Sequence, residues 1–195
     1  MAQSERALDL PARDEHDDEP EVAAALTKAK AATGMLPNMY RYMANVPGLL
    51  DTYLTGYDAF RSSSGFSPAQ QETVLLVISR VNGCTYCMAA HSAVADMAGV
   101  PSEVTDAIRA GDTIPDPELH ALAEFTRVMV ERRGLPTEAD LTAFTNAGYH
   151  QEAVLQIVLA IAVKTISNYT NHLCHTEVDD VFATRSWSDP NHHDG

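Results

Sequence analysis

From residue 20 to residue 173 the apolar positions recur at intervals of three and four. That is the period of helices that each bury one face. The clearest stretch holds Val74, Leu75, Val77, Ile78 and Val81, at i, i+1, i+3, i+4 and i+7. Ser67, Pro68 and Gln70 in front of it supply an N-cap, a first-turn proline and a capping-box partner. Asn82-Gly83 ends this helix, and the next is predicted from about Cys84 to Ala98, stopped by Gly99. Pro101-Ser102 opens a further one. The remaining predicted helices are an Ala-rich 20–33 ending at Gly34, then 38–45 and 48–61 on either side of Val46-Pro47. They continue with 117–133 ending at Gly134, 138–147 capped by Thr137 and stopped at Gly148, and about 151–173. No segment alternates with period two between turn residues, so the predicted fold class is all-α, with a single domain over 20–182. Residues 1–19 carry nine charges and little apolar material, and read as a disordered or loosely attached arm. Residues 183–195, with His192-His193, read as a flexible tail in which the histidines do nothing specific.

Composition narrows the function classes. The chain has 195 residues, 27 acidic against 13 basic, for a net charge of −14. Nucleic acid and an anionic membrane both need a basic face, so neither is an expected partner. Three cysteines do not make a secreted disulfide framework. The start, MAQSERALDL, lacks a basic segment followed by an apolar one, so no signal peptide is expected. The most apolar run, 153–163, is interrupted by Gln156 and falls short of the ~18–20 residues that span a bilayer. A cytoplasmic protein is expected, with that run serving as core or as an oligomer interface.

The chemistry concentrates between Glu72 and His91. Cys84-x-x-Cys87-x-x-x-His91 follows Gly83, which puts both cysteines in the first turns of a helix. Such a pair serves as a redox dithiol, as half of a metal site, or as two buried small residues. Residues at i and i+3 share a helix face, close enough for a disulfide after small adjustments. The positive end of the helix favours a thiolate. Helical side chains lean toward the N-terminus, so His91, at i+4 from Cys87, points back at it. Geometry thus makes His91 the base of Cys87 and Cys84 the resolving partner, although nearness to the helix end would favour Cys84 as the more acidic thiol. If the two helices fold back about Asn82-Gly83, Glu72 and His91 differ by three residues, roughly 4.5 Å of rise. A carboxylate there would orient His91 and take up its proton; a solvated surface charge is the alternative reading.

A glutamate twelve residues before Cys-x-x-Cys-x-x-x-His resembles the signature of the AhpD-like alkylhydroperoxidases of the carboxymuconolactone decarboxylase superfamily. MLPNMYRYMANVP at 35–47 and SNYTNHLCHTEVD at 167–179 resemble its longer, peroxidase-related branch, so the likeness covers roughly residues 20–182. The resemblance implies an all-α bundle of six to ten helices, assembled as a homo-oligomeric trimer or hexamer. It implies reduction of hydroperoxides with no cofactor, haem or metal. Cys87 would attack the peroxide, Cys84 would close the disulfide, and a thiol or dihydrolipoyl-carrying protein would reopen it, with Glu72 and His91 relaying the proton. The best-known member has a histidine before the second cysteine where this chain has Tyr86, a poor base at neutral pH. The namesake decarboxylases lack the cysteine pair. Rival readings are a redox-sensing or disulfide-reductase module with little turnover, and a decarboxylase- or isomerase-like enzyme on the same fold.

A second cluster, Asn171-His172-Leu173-Cys174-His175, would complete a zinc site with Cys84 and Cys87, but its His-x-x-His spacing is short for one. It reads better as the end of the last helix, with Asn168, Tyr169 and His172 near the active site or a subunit contact. Cys174 reads as structural. Met35, Met39, Met43, Tyr40 and Tyr53 read as core, with the wall of a hydroperoxide pocket as the alternative.

Overall fold

The computed structural model describes residues 7–190. Nine α-helices follow one another among them, without a strand: α1 Pro20–Thr33, α2 Asn38–Met43, α3 Pro47–Ser63, α4 Pro68–Val81, α5 Thr85–Met97, α6 Ser102–Ala110, α7 Pro117–Glu131, α8 Glu138–Asn146 and α9 Gln151–Cys174. A 3-10 turn, Asp180–Arg185, follows α9. The all-α expectation holds, and the helix limits fall within a few residues of those the apolar period and the caps imply. Ser67 accepts from the Gln70 backbone N–H, and the Gln70 side chain returns the bond. Thr137 and Asp140 repeat this capping box in front of α8. The 3-10 turn was not foreseen. It packs on α5 through Phe182, against Ala89 and Ala93.

Two helices organise the bundle. The buried positions of α4 run almost without a break from Gln71 to Ser79, because α5, α6, α7 and α9 surround it. α9 lies against α2, α3, α4, α5 and α7. It is long and apolar enough to cross a membrane by length and composition, beyond what its most apolar eleven-residue run suggested. Its inner face nevertheless buries Lys164, Ser167, Asn168 and Asn171 together with Ile157, Ala160 and Val163. Its outer face leaves Leu155, Val158, Tyr169 and Leu173 exposed. α3 and α9 approach most closely at Gly56, where an added Cβ would stand 2.8 Å from the Val163 Cγ2.

Residues 7–19 run along the surface. The Leu8 amide donates to the Leu173 carbonyl, the Arg13 amide to that of Arg41, and the Asn45 side chain to that of Pro11. Beyond the 3-10 turn, the Trp187 indole donates to the Arg109 carbonyl, and the Arg109 guanidinium donates to the carbonyls of Arg185 and Ser186. His192 and His193 lie outside the described residues.

Candidate active site

The α4–α5 connection is a tight turn. Gly83 adopts φ 67°, a left-handed conformation suited to glycine, and the Cys84 amide bonds back to the Ser79 carbonyl. Cys84 is therefore the N-cap of α5, and Cys87 sits at its third position. Both thiols are buried, and no disulfide joins the three cysteines. They sit in the core formed by α1, α2 and α3, beside Met39, Tyr40, Met43, Tyr53 and Val163. The Met/Tyr stripe is thus core that also walls the dithiol. Met35 packs outside this group, against the α5–3-10 contact.

The antiparallel turn brings Glu72 to His91. Both are buried, with Glu72 Oε2 3.0 Å from His91 Nδ1. With Nδ1–H donated to the carboxylate, Nε2 is left as the basic lone pair. The other carboxylate oxygen, Oε1, stands 2.5 Å from a guanidinium nitrogen of Arg61, a partner that sequence reasoning missed. Arg61 is itself held by the Tyr57 hydroxyl, the Tyr57 ring and the Gln71 side chain. Burial would raise the Glu72 pKa, but the hydrogen bond from His91 and the charges of His91 and Arg61 outweigh it, and the carboxyl is held below its ordinary range. Burial, aided by the charge of Lys164, pushes the His91 pKa below that of a free imidazole against the pull of Glu72. The geometry is an imidazole oriented by a fixed carboxylate, with burial favouring its neutral form.

The two sulfurs are unequal. Burial would raise the Cys87 pKa, but the Cys84 thiol, the Lys164 charge and His91 together bring it well below that of an ordinary thiol. Cys84 moves well above, first because it donates to Cys87 and then through burial. Nearness to the helix end therefore does not make Cys84 the more acidic thiol; the neighbours of Cys87 outweigh it. Further contacts to the sulfurs come from one face of α9. The Asn171 Nδ2 donates to Cys87 Sγ at 3.3 Å and approaches Cys84 Sγ at 3.9 Å and Met39 Sδ at 3.2 Å. Cys87 Sγ is 3.8 Å from Ser167 Oγ. Asn168 accepts from the Asn82 amide at 2.8 Å and so ties α9 to the turn before Cys84. Of the α9 residues singled out in the sequence, Asn168 is thus buried beside the site, whereas Tyr169 is exposed and His172 stands at its rim. Lys164 and Ser167 were missed, and Asn171 was named only as part of the second cluster. Their signal was legible: with Asn168 they fall at i, i+3, i+4 and i+7, a polar stripe inside an apolar helix.

Tyr86 packs in the same core group as the dithiol, but its hydroxyl is engaged elsewhere. Its hydroxyl donates to Asp179 at 2.6 Å, and Asp179 also accepts from the Asn38 amide. Burial first, then the bond to Asp179, raise its pKa, so it serves as a structural latch between α5, α2 and the C-terminal segment. An open cleft of about 740 Å³ reaches Cys84, bounded by Asn82, Tyr86, Asn171, His172, His175 and Glu177 among others. Among the described residues no group of three or more His, Cys, Asp or Glu side chains is arranged to hold a metal ion. Cys174 is buried.

Residues 47–127, from α3 into α7, match the model of the carboxymuconolactone decarboxylase family. No curated protein matches the sequence. The fold is similar to an AhpD-core, peroxidase-related protein from Ralstonia eutropha JMP134, at 21% identity over 89% of this chain and 93% of that one, with a TM-score of 0.77. A peroxidase-related protein from Silicibacter sp. TM1040 gives 22% identity over 93% and 96%, with a TM-score of 0.73. A cysteine-to-alanine variant of the debrominase Bmp8, in complex with 2,3,4-tribromopyrrole, gives 16% identity over 86% and 90%, with a TM-score of 0.69.

Proposed function

We propose that this chain, an AhpD-like member of the carboxymuconolactone decarboxylase superfamily, is a thiol-dependent hydroperoxide reductase working through Cys84 and Cys87. The observation that carries the reading is the convergence of a buried dithiol with a buried Glu72–His91 pair at 3.0 Å. In the reaction, Cys87 Sγ attacks the distal oxygen of ROOH as a thiolate, and His91 Nε2 takes up the hydroperoxide proton. The O–O bond breaks, the proton passes from His91 to the departing alkoxide, and the products are ROH and a Cys87 sulfenate, which a proton from solvent converts to the sulfenic acid. Glu72, kept ionised by Arg61, steadies the imidazolium that forms in passing. Cys84 then displaces the sulfenic hydroxyl, which leaves as water with the Cys84 proton, and a disulfide results.

Two equivalents of an external thiol reset the site. Cys84 stands at the cleft, so the reductant attacks Cys84 Sγ, and Cys87, the more acidic thiol, is the better leaving group. A second thiol then frees Cys84. The reductant is a small thiol or a dihydrolipoyl-type carrier, the protein is placed in the reducing cytoplasm, and no cofactor takes part. The exposed row of Leu155, Val158 and Tyr169 on α9 is assigned to contact between copies in a homo-oligomer, trimer or hexamer.

A thiol count tests the reading. Reduced protein, shown by metal analysis to be metal-free, is mixed with one equivalent of an organic hydroperoxide and titrated for thiols under denaturing conditions. A fall from the three thiols of the sequence to one is expected. Three remaining thiols would overturn peroxide reduction. 2,3,4-Tribromopyrrole is tested in parallel, because a debrominase of similar fold binds it; turnover of that compound with none of hydroperoxide would move the dithiol to reductive dehalogenation.

A further inference from the structure

Lys164 is fully buried in the middle of α9, and its Nζ has no hydrogen-bond partner of ordinary geometry. No carboxylate pairs with it among the described residues. Glu72, the carboxylate of the site, is already held by Arg61 and His91. A buried ammonium without an anion is too costly to persist, so the group must either lose its proton or find a negative charge. On the same face of α9, Ser167 and Asn171 stand at i+3 and i+7 and both contact Cys87 Sγ. The side chain of a helical residue also lies over the turn before it, against the neighbouring helix. The two sulfurs sit in a core group otherwise made of apolar and tyrosine side chains.

We propose that Lys164 is the standing counter-cation of Cys87, so that the resting site holds an ammonium–thiolate pair and not an amine beside a thiol. The proposal rests on Cys87 being the reacting sulfur. Lys164 then does what the imidazole cannot. It supplies permanent charge to the thiolate while leaving His91 neutral and available to carry a proton. The directions of the Cys87 and His91 pKa shifts, both lowered by this amine, agree with that division of labour. Charged and titratable groups around Cys87 come from several elements: Tyr53 and Tyr57 on α3, Cys84, Tyr86 and His91 at or on α5, and Lys164 and His172 on α9, with Glu72 and Arg61 behind His91. Lys164 is the only one of them that is cationic, close to the sulfur and not already matched by a carboxylate.

The test needs no peroxide, which separates its failure from failure of the proposed reaction. Thiolate absorbance near 240 nm and the rate of iodoacetamide alkylation, located at Cys87 by mass spectrometry, are followed against pH in Cys174→Ser protein. Lys164→Met should shift the Cys87 curve to higher pH and slow its alkylation at pH 7 by about tenfold or more, with Lys164→Arg recovering much of the loss. An unchanged curve in a folded Lys164→Met protein would overturn the proposal. A companion measurement leaves Lys164 in place: the 15N shift of its Nζ at pH 7 is compared in wild type and in Cys87→Ser. Loss of the neighbouring thiolate should change that shift. An Nζ shift identical in the two proteins would equally overturn the pairing.

Discussion

At the scale of the residue, the proton chemistry depends on what holds Glu72. Its carboxylate has two claimants, Arg61 on one oxygen and His91 on the other. Arg61→Met removes the charge that helps to keep it ionised, so the Glu72 pKa rises and the acid limb of the peroxidase pH–rate profile should move to higher pH. A profile that scales down without moving would show Arg61 to be packing alone. The two cysteines separate in the same assay. Cys87→Ser should abolish peroxide turnover. Cys84→Ser should react once and leave a sulfenic acid that dimedone captures and mass spectrometry places on Cys87. Capture on Cys84 in the Cys87→Ser protein, with no reaction in Cys84→Ser, would reverse the two roles.

At the scale of the element, α9 delivers Lys164, Ser167, Asn168 and Asn171 to the dithiol, and its seat on α3 is set by Gly56 against Val163. Alanine favours an exposed helix interior by about 1 kcal/mol over glycine. Here the added methyl meets a buried, β-branched neighbour at 2.8 Å that has little rotamer freedom. Gly56→Ala should therefore destabilise the protein, by ~1–3 kcal/mol in urea melts. Val163→Ala in the same chain should restore part of that, a coupling that a double-mutant cycle reads directly. The cap of α4 offers a plainer case. Ser67→Ala removes the capping-box acceptor and should cost ~1 kcal/mol without altering the thiol chemistry.

At the scale of the whole molecule, the site makes the fold sensitive to acid. His91 and Glu72 both have pKa values lowered by folding. Below about pH 6.5 an unfolded chain's imidazole takes up a proton that buried His91 refuses, and below about pH 4.3 a free glutamate does so where Glu72 does not. The unfolded state binds more protons in this window, so stability falls as pH falls through it and levels only once the folded groups protonate. Urea midpoints measured from pH 7 to pH 4 should decline, and His91→Gln should flatten the upper part of the decline. A midpoint that is level across this range would show that these groups titrate alike in both states.

Much of this was legible in the chain. The 3.6-residue period, the capping serine and threonine, and the glycines after α1, α4, α5, α7 and α8 are local signals, and local signals determine where helices begin and end. The pairing of Glu72 with His91 was also legible, because both flank one short turn and their distances from it, which differ by three residues, are a matter of counting. Tertiary structure alone decided the rest. Arg61 comes from α3 and Lys164, Ser167 and Asn171 come from α9, eleven residues before Glu72 and 77 to 84 residues after Cys87. No local spacing says which face of those helices meets the dithiol. The relative acidity of the cysteines likewise follows from the side chains that packing sets beside each sulfur, since helix position taken alone pointed to Cys84. A motif names its reacting atoms through covalent spacing, whereas the charges that tune them arrive by packing, from parts of the chain whose relation to the motif exists only once the protein has folded.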